Sequence, residues 1–89
     1  MTEQEWIEKL KSEGIRDIKV WSEGPGAQFG EHTHLEQTVH VILEGEFILL
    51  EKDGDKTYKT GERFEVPAGT THNAKCGAQG CKFIVGVKK

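Results

Sequence analysis

Turn-forming residues divide most of this 89-residue chain into short segments, and this limits its fold more than any other feature of the sequence. Glycine, with or without proline, interrupts the chain at 24–26, 67–69 and 77–80, and Asp53-Gly54 is a strong β-hairpin signal. Several of the segments between these turns alternate apolar and polar residues, as half-buried strands do. Many short strands at roughly even spacing indicate a β-sandwich or a jelly-roll barrel.

The predicted strands follow this division. The first is Ile15–Trp21, in which apolar Ile18 and Val20 alternate with polar residues, and a second ends at His32–His34. The others are Thr38–Leu43, Glu46–Lys52, Thr57–Thr60, Arg63–Val66, Thr71–Cys76 and Cys81–Val87, with tight turns at Glu44-Gly45 and at 77–80.

The N-terminal segment is predicted to be a helix over residues 2–13. Thr2 provides an N-cap, and Glu5, three residues later, completes a capping box. Gly14 is the expected stop. The apolar face of this helix carries Trp6, Ile7 and Leu10.

The segment Thr38–Leu43 has two different faces. One is fully apolar and the other is mixed, because side chains two residues apart point to the same side of a strand. If the mixed face points into a barrel, the apolar face must be covered by the N-terminal helix or by a second subunit. The apolar face carries Val39, Val41 and Leu43, and the mixed face carries Thr38, His40 and Ile42.

Composition excludes several classes of protein. A net charge of −3 argues against a general nucleic-acid surface, and no apolar stretch approaches the roughly 20 residues of a membrane span. The polar, acidic N-terminus is unlike a signal peptide, so a cytoplasmic location is expected, and with two cysteines a disulfide framework is not. We expect a single domain over residues 1–89, with the helix at 2–13 and a β-barrel at 15–87.

The histidines suggest a metal site. His32, His34 and His40 fall within nine residues, and His72 follows a turn. A His-x-His pair on a strand directs two imidazoles to one spot, and neutral imidazole is the commonest nitrogen ligand for zinc, iron, nickel and copper.

The first pair of histidines stands in a regular frame. Gly26 is followed after five residues by His32-Thr-His34, after three more by Thr38, and after six more by Gly45. Gly45, like Gly61 and Gly69 farther along the chain, is expected to serve a turn that needs positive φ.

A second frame surrounds the last histidine. Gly61 is followed after five residues by Pro67-Ala-Gly69, after two more by His72, and after three more by Cys76. In these two stretches, over residues 26–76, the chain resembles the cupin family, whose second motif has Asn where Cys76 stands.

The resemblance implies a small barrel of six to eight strands with a metal at its mouth. The family's ligand positions carry over to His32, His34 and His72. The fourth ligand of the family is normally Glu, and Thr38 stands there instead. His40 lies on the same strand face and is expected to replace it, as a fourth ligand or as a base beside the metal.

An all-histidine site leaves a divalent ion its full positive charge, so it should prefer a small anionic ligand. Three functions stay open at this point. One is a metal-dependent enzyme that is dioxygenase-like or isomerase-like, as some cupins are; the metal would be zinc, iron, manganese, nickel or copper. The others are a non-catalytic small-molecule binding or sensor module and a barrel that the metal merely stabilises. The resemblance also implies a homodimer.

Other side chains allow two interpretations each. Cys76 and Cys81 are a thiol pair near the metal or two small buried side chains. Phe83 fills the barrel or lines the pocket, and Trp21 is expected to pack in the core or at an edge. The remaining aromatic residues are expected to fill the barrel: Phe29, Phe47, Phe64 and Tyr58. Three acidic and amide residues near the histidines either contact them or are solvated: Glu31, Glu36 and Gln37.

Overall fold

The structure, a computed structural model, describes residues 1–33 and 35–88, and of His32 it describes the backbone only. Within these ranges the elements are α1 Glu3–Ser12, β1 Arg16–Glu23, β2 His32–Thr33, β3 Gln37–Leu50, β4 Lys56–Lys59, β5 Arg63–Val66 and β6 Thr71–Lys88. None of the helical structure in these ranges has the length and hydrophobicity that a membrane span requires.

The strands form an antiparallel sheet in the order β1-β6-β3-β4, with β2 paired to β6 and β5 paired to β3. The predicted all-β class with one short N-terminal helix is thereby confirmed. The two long strands, β3 and β6, pair with each other and each pairs with two shorter strands. Residues 38–41 and 47–49 of β3 therefore have a paired strand on both sides.

The N-terminal helix begins and ends as the sequence predicts. Thr2 is the N-cap: its side chain accepts a hydrogen bond from the Glu5 backbone N–H, and the Glu5 carboxylate accepts one from the Thr2 N–H at 2.8 Å. This capping box satisfies backbone donors that the first helical turn leaves unpaired, and the hydrogen bonds to Thr2 lower the pKa of the Glu5 carboxyl. Gly14, at φ +84°, ends the helix at a conformation that favours glycine.

Two apolar clusters lie on the two sides of the sheet. The outer cluster lies under α1 and consists of Leu10, Ile15, Val39, Val41 and Ile84, with Trp6, Ile7, Ile18 and Leu43 packed against it. The inner cluster consists of Ile42, Phe47, Leu49, Phe64, Val66, Ala74, Cys76, Cys81 and Phe83. Of the two expected covers for the apolar face of Val39 and Val41, the structure shows the helix, because Leu10 and both valines are fully buried in one cluster.

Within β3 the alternation of inward and outward side chains reverses. Ile42 and Phe47 both belong to the inner cluster although they are five residues apart, which simple alternation forbids. The register is irregular between Ile42 and Glu44 and again between Gly45 and Phe47, as expected of β-bulges. The predicted turn at Glu44-Gly45 is therefore wrong. The backbone continues as one strand through these residues, and they lie in β-bulges instead of a turn.

Strand β6 changes sides at the same level. Gly45 lies opposite Cys81 and Phe47 lies opposite Cys76, so two steps along β3 correspond to five steps along β6. Residues 77–80 form an outward excursion of a continuous strand, and the predicted turn between two separate strands is wrong. Because both strands shift together, the inner face stays apolar above and below this level.

The motif glycines adopt the expected conformation, and one of them is also packed tightly. Gly45, Gly61 and Gly69 have φ of +72°, +88° and +78°. A Cβ on Gly45 would overlap the backbone carbonyl oxygen of Gly80, whereas a Cβ on Gly61 would meet nothing within 4 Å. Gly45 is thus required by contact as well as by backbone conformation.

We predict that Gly45→Ala destabilises the protein by about 3 kcal/mol or more, because it adds steric overlap to the roughly 1–2 kcal/mol cost of a left-handed residue. Gly61→Ala, the matched control, carries only the conformational cost. The free energies of unfolding in urea measure both. Equal losses in the two variants would show that the contact with Gly80 is unimportant.

Ion pairs connect both ends of α1 to the sheet. At the N-terminal end, Lys82 Nζ lies 3.1 Å from Glu3 Oε1, and Glu3 raises the pKa of the Lys82 ammonium. At the C-terminal end, the Arg63 guanidinium donates two hydrogen bonds, of 2.6 and 2.9 Å, to the Glu13 carboxylate. This two-bond contact lowers the pKa of Glu13 from its ordinary 4.5 to about 2.

The Glu13–Arg63 pair should make stability depend on acid pH. Because the pKa of Glu13 is lower in the folded protein, the pair's contribution is complete above about pH 4.5 and is lost as the pH falls toward 2. The pair is partly solvated, so we expect a contribution of about 1 kcal/mol. Urea unfolding between about pH 2 and pH 6 should show a shallower acid slope for Glu13→Gln than for wild type.

Glu8→Gln, at an exposed position of the same helix, is the control for that measurement and should keep the wild-type slope. An unchanged slope in Glu13→Gln would mean that Arg63 does not stabilise the ionised carboxylate.

Candidate metal and ligand site

A cavity of about 220 Å³ lies inside the sheet, next to the inner cluster. Strands β3 and β6 supply most of its wall, and β1 supplies its exposed rim. Its lining consists of Trp21, Glu23, Phe29, His40, Phe47, His72, Ala74, Phe83 and Val85. Two of the four histidines of the chain therefore face one cavity, one from each long strand.

His40 is held by aromatic rings. It is only 4% exposed and stands on the mixed face of β3, pointing inward as predicted. Its ring stacks on Phe64 with 4.6 Å between centroids and an interplanar angle of 2°. The rings of Phe47 and Phe83 lie 5.9 and 6.2 Å away. These contacts fix the plane of the imidazole, so that its orientation does not depend on a ligand.

A column of three rings runs outward from His40. Phe64 contacts His40 on one side and Tyr58 of β4 on the other, with 4.2 Å between the Phe64 and Tyr58 centroids and an angle of 23°. Phe64 is buried, and Tyr58 is partly exposed. We call His40, Phe64 and Tyr58 the ring column.

His72 faces the same cavity from β6. It is 7% exposed, and its ring centroid lies 6.3 Å from that of His40 at an angle of 77°. The register places His72 directly opposite the backbone of His32 on β2. The frame Pro67-Ala-Gly69 forms the turn before β6, so it sets where β6, and with it His72, enters the sheet.

The other predicted ligands are only partly covered by the structure. His34 and the side chain of His32 lie outside the described residues. Within the residues whose side chains are described, no group of three or more His, Cys, Asp or Glu is placed to hold a metal ion. The ligand set His32, His34, His40 and His72 therefore stays a prediction.

Thr38 occupies the position where the cupin motif has its glutamate. It is 4% exposed, between Val66 of β5 and Val87 of β6. Its Oγ1 atom is buried and has no hydrogen-bond partner in the described part of the chain. A buried hydroxyl without a partner is costly, so this atom is suited to bond a water or a ligand.

The wall of the cavity is aromatic. The Phe29 ring stacks on Phe47 at 5.7 Å and meets Phe83 edge-on at 5.6 Å, and Phe47 meets Phe83 at 5.0 Å. The expectation that Phe83 lines the pocket is confirmed. Trp21 lies on the edge strand β1, as one of its two interpretations had it, and the sequence analysis did not foresee that it forms the rim of the cavity, where it is 48% exposed. Its position two residues from Glu23, on the same face of β1, was the signal available.

The two cysteines are joined. Cys76 and Cys81 form a disulfide with 5.2 Å between their Cα atoms, and both belong to the inner cluster. The expectation of two separate thiols is therefore wrong. The cause is the excursion of residues 77–80, which brings two positions five residues apart into facing places. The disulfide closes this excursion at its base.

We predict that the disulfide stabilises the fold by about 2 kcal/mol, the loop-entropy value for so short a ring. Urea unfolding with and without a thiol reductant should show this difference in wild type. The double variant Cys76→Ala/Cys81→Ala should show no effect of reductant. Wild-type protein insensitive to a reductant that demonstrably frees both thiols would contradict the prediction.

The fold and these contacts can now be compared with known proteins. A family model described as a cupin domain matches residues 19–86, most of the chain. The chain therefore belongs to the cupin family. No curated protein matches the sequence.

Solved structures share the fold. A cupin-2 domain protein from Shewanella frigidimarina has a TM-score of 0.70 at 22% identity, covering 81% of this chain and 69% of that chain. A predicted oxalate decarboxylase from Thermotoga maritima has 0.69 at 22%, covering 90% and 70%. The polyketide cyclase RemF from Streptomyces resistomycificus has 0.69 at 24%, covering 81% and 54%. At these identities the likeness shows the fold, and this chain spans between 54% and 70% of their length.

Proposed function

We propose that this cupin binds a divalent metal ion at the histidine end of the cavity and, through the metal, a small anionic molecule. The observation that carries the proposal is that His40 and His72, both buried and on two different strands, border one cavity. The pairing of the His32 backbone with His72 supports it, because neighbouring strands then supply both motif histidines.

We propose His32, His34 and His72 as ligands, with His40 either the fourth ligand or a neighbour of the metal. At zinc–nitrogen distances of 2.0–2.1 Å, two imidazoles on a tetrahedral ion have ring centroids about 5 Å apart. The separation of 6.3 Å between His40 and His72 is larger. This favours His40 as a wall residue that faces the metal's ligand, held in place by Phe64.

The charge of such a site explains the preference for an anion. Neutral imidazoles cancel none of the positive charge of the ion, and Thr38 supplies no carboxylate where the family motif has one. When bound, the metal supplies Lewis acidity toward an oxygen atom. The protein's part is to orient the molecule and to keep water away, and the aromatic wall does both.

Two uses of the site are proposed, and one observation separates them. A metal-dependent reaction, dioxygenase-like or isomerase-like, needs a group that moves a proton. Among the described residues of the lining, only the histidines and the exposed Glu23 can do so. This sparse set favours the second use, a non-catalytic binding or sensor module, unless His40 acts as the base.

The homodimer and the cytoplasmic location also remain proposals, and the Cys76–Cys81 disulfide weighs against the second, because disulfides are rare in the cytosol. Strand β1 lies at one end of the strand order. An edge strand is suited to pair with a second copy.

The metal proposal is tested by calorimetric titration of zinc into metal-free protein. We expect His34→Ala and His72→Ala to lose most of the affinity, at least tenfold, because each removes a ligand. His40→Ala should lose less. Wild-type affinity in both His34→Ala and His40→Ala would refute the site.

Asn73→Ala is a matched control, since it truncates the neighbour of His72 on the other face of β6 and should bind zinc as wild type does. Thermal unfolding of each metal-free variant separates lost ligands from lost structure.

A further inference from the structure

The metal proposal accounts for the histidine end of the cavity and leaves the opposite wall unexplained. There, three phenylalanine rings, Phe29, Phe47 and Phe83, contact one another with centroids 5.0 to 5.7 Å apart. They leave a space instead of closing it, because the neighbouring positions carry the small side chains of Ala74 and Val85.

The size and polarity of this space limit what can fill it. The volume of about 220 Å³ exceeds the roughly 150 Å³ of apolar cavities that stay dry and bind benzene. Apart from the two histidines, the charged member of the described lining is Glu23, which is exposed at the rim. The interior therefore has nothing to solvate a charge except at the histidine end.

The rim adds a flat apolar side chain. Trp21 pairs with Phe83 across the β1–β6 ladder and is 48% exposed at the rim of the cavity. A planar molecule entering the cavity would pass this indole and come to rest against the phenylalanine rings.

We propose that the cavity binds the uncharged ring of a small aromatic carboxylate, with one ring and a short side chain, whose anionic head points to the histidines. The position of the head rests on the proposed metal site. The binding of the ring rests on the aromatic wall alone, so the two can be tested separately.

Binding of the ligand's ring to the aromatic wall is tested in metal-free protein, with EDTA present and toluene as the probe. We expect saturable binding, seen as a rise in the midpoint of thermal unfolding and as a change in Trp21 fluorescence in a Trp6→Phe background. No saturable effect of toluene on wild-type protein would overturn the proposal.

Filling the cavity provides the decisive variant. Val85→Phe extends a side chain into the space from β6 and should weaken toluene binding more than tenfold. Val20→Phe makes the same substitution at an exposed position on the paired strand β1, outside the lining, and should bind as wild type. If Val85→Phe does not fold, toluene binding is measured instead in Ala74→Leu and in the rim variant Trp21→Ala, and both should bind toluene more weakly than wild type. Wild-type affinity in the folded cavity-filling variant would overturn the proposal.

The head is tested with zinc-loaded protein. Phenylacetate should bind at least tenfold more tightly than acetate, and Val85→Phe should abolish this preference while leaving zinc affinity unchanged. Toluene binding without zinc binding would refute the metal site and keep the ring site. Zinc binding without any preference for phenylacetate or effect of toluene would refute the ring site and keep the metal site.

Discussion

The structure depends on the contact between β3 and β6 at Gly45 and Gly80. Here both strands leave simple alternation at once, and the backbone of one fits against the backbone of the other with no room for a side chain. If only one strand shifted, its apolar residues beyond this level would turn outward. The paired shift keeps Phe47 and Phe83 on the inner face, and the cavity exists because those rings face each other.

The elements that local chemistry determines could be predicted from the sequence. The capping box of Thr2 and Glu5 and the stop at Gly14 define α1. Alternation along residues 38–43 identified the buried valine face and its need for a cover, but it left open whether the helix or a second subunit provides that cover. The two bulges could not be predicted. Glu44-Gly45 has the composition of a turn, and only the partner strand shows that the backbone continues. The Cys76–Cys81 disulfide was missed for the same reason, because it depends on the excursion between the two residues.

The direction in which a site residue points could be predicted where that residue lies on a regular strand, because alternate residues point to the same face. His40 could be assigned to the inner face from its own strand, and the glycine-and-proline frame placed His72 in the family motif. The distances between them could not be predicted, since those depend on how the aromatic rings pack. Nor could the space beside the rings, which arises from small residues, Ala74 and Val85, on a different part of β6. The cavity forms between strands, so its presence depends on side chains from several segments of the sequence at once.

The ring column connects the buried imidazole of His40 to a partly exposed chromophore. Tyr58 is the single tyrosine of the chain, and only Phe64 separates it from the imidazole of His40. Aromatic stacks are rigid and tightly spaced, so a tilt of the inner ring displaces the outer one. The protein thus carries on β4 an intrinsic chromophore that packs against this stack, and the near-ultraviolet circular dichroism of Tyr58 reports whether the ring column is intact.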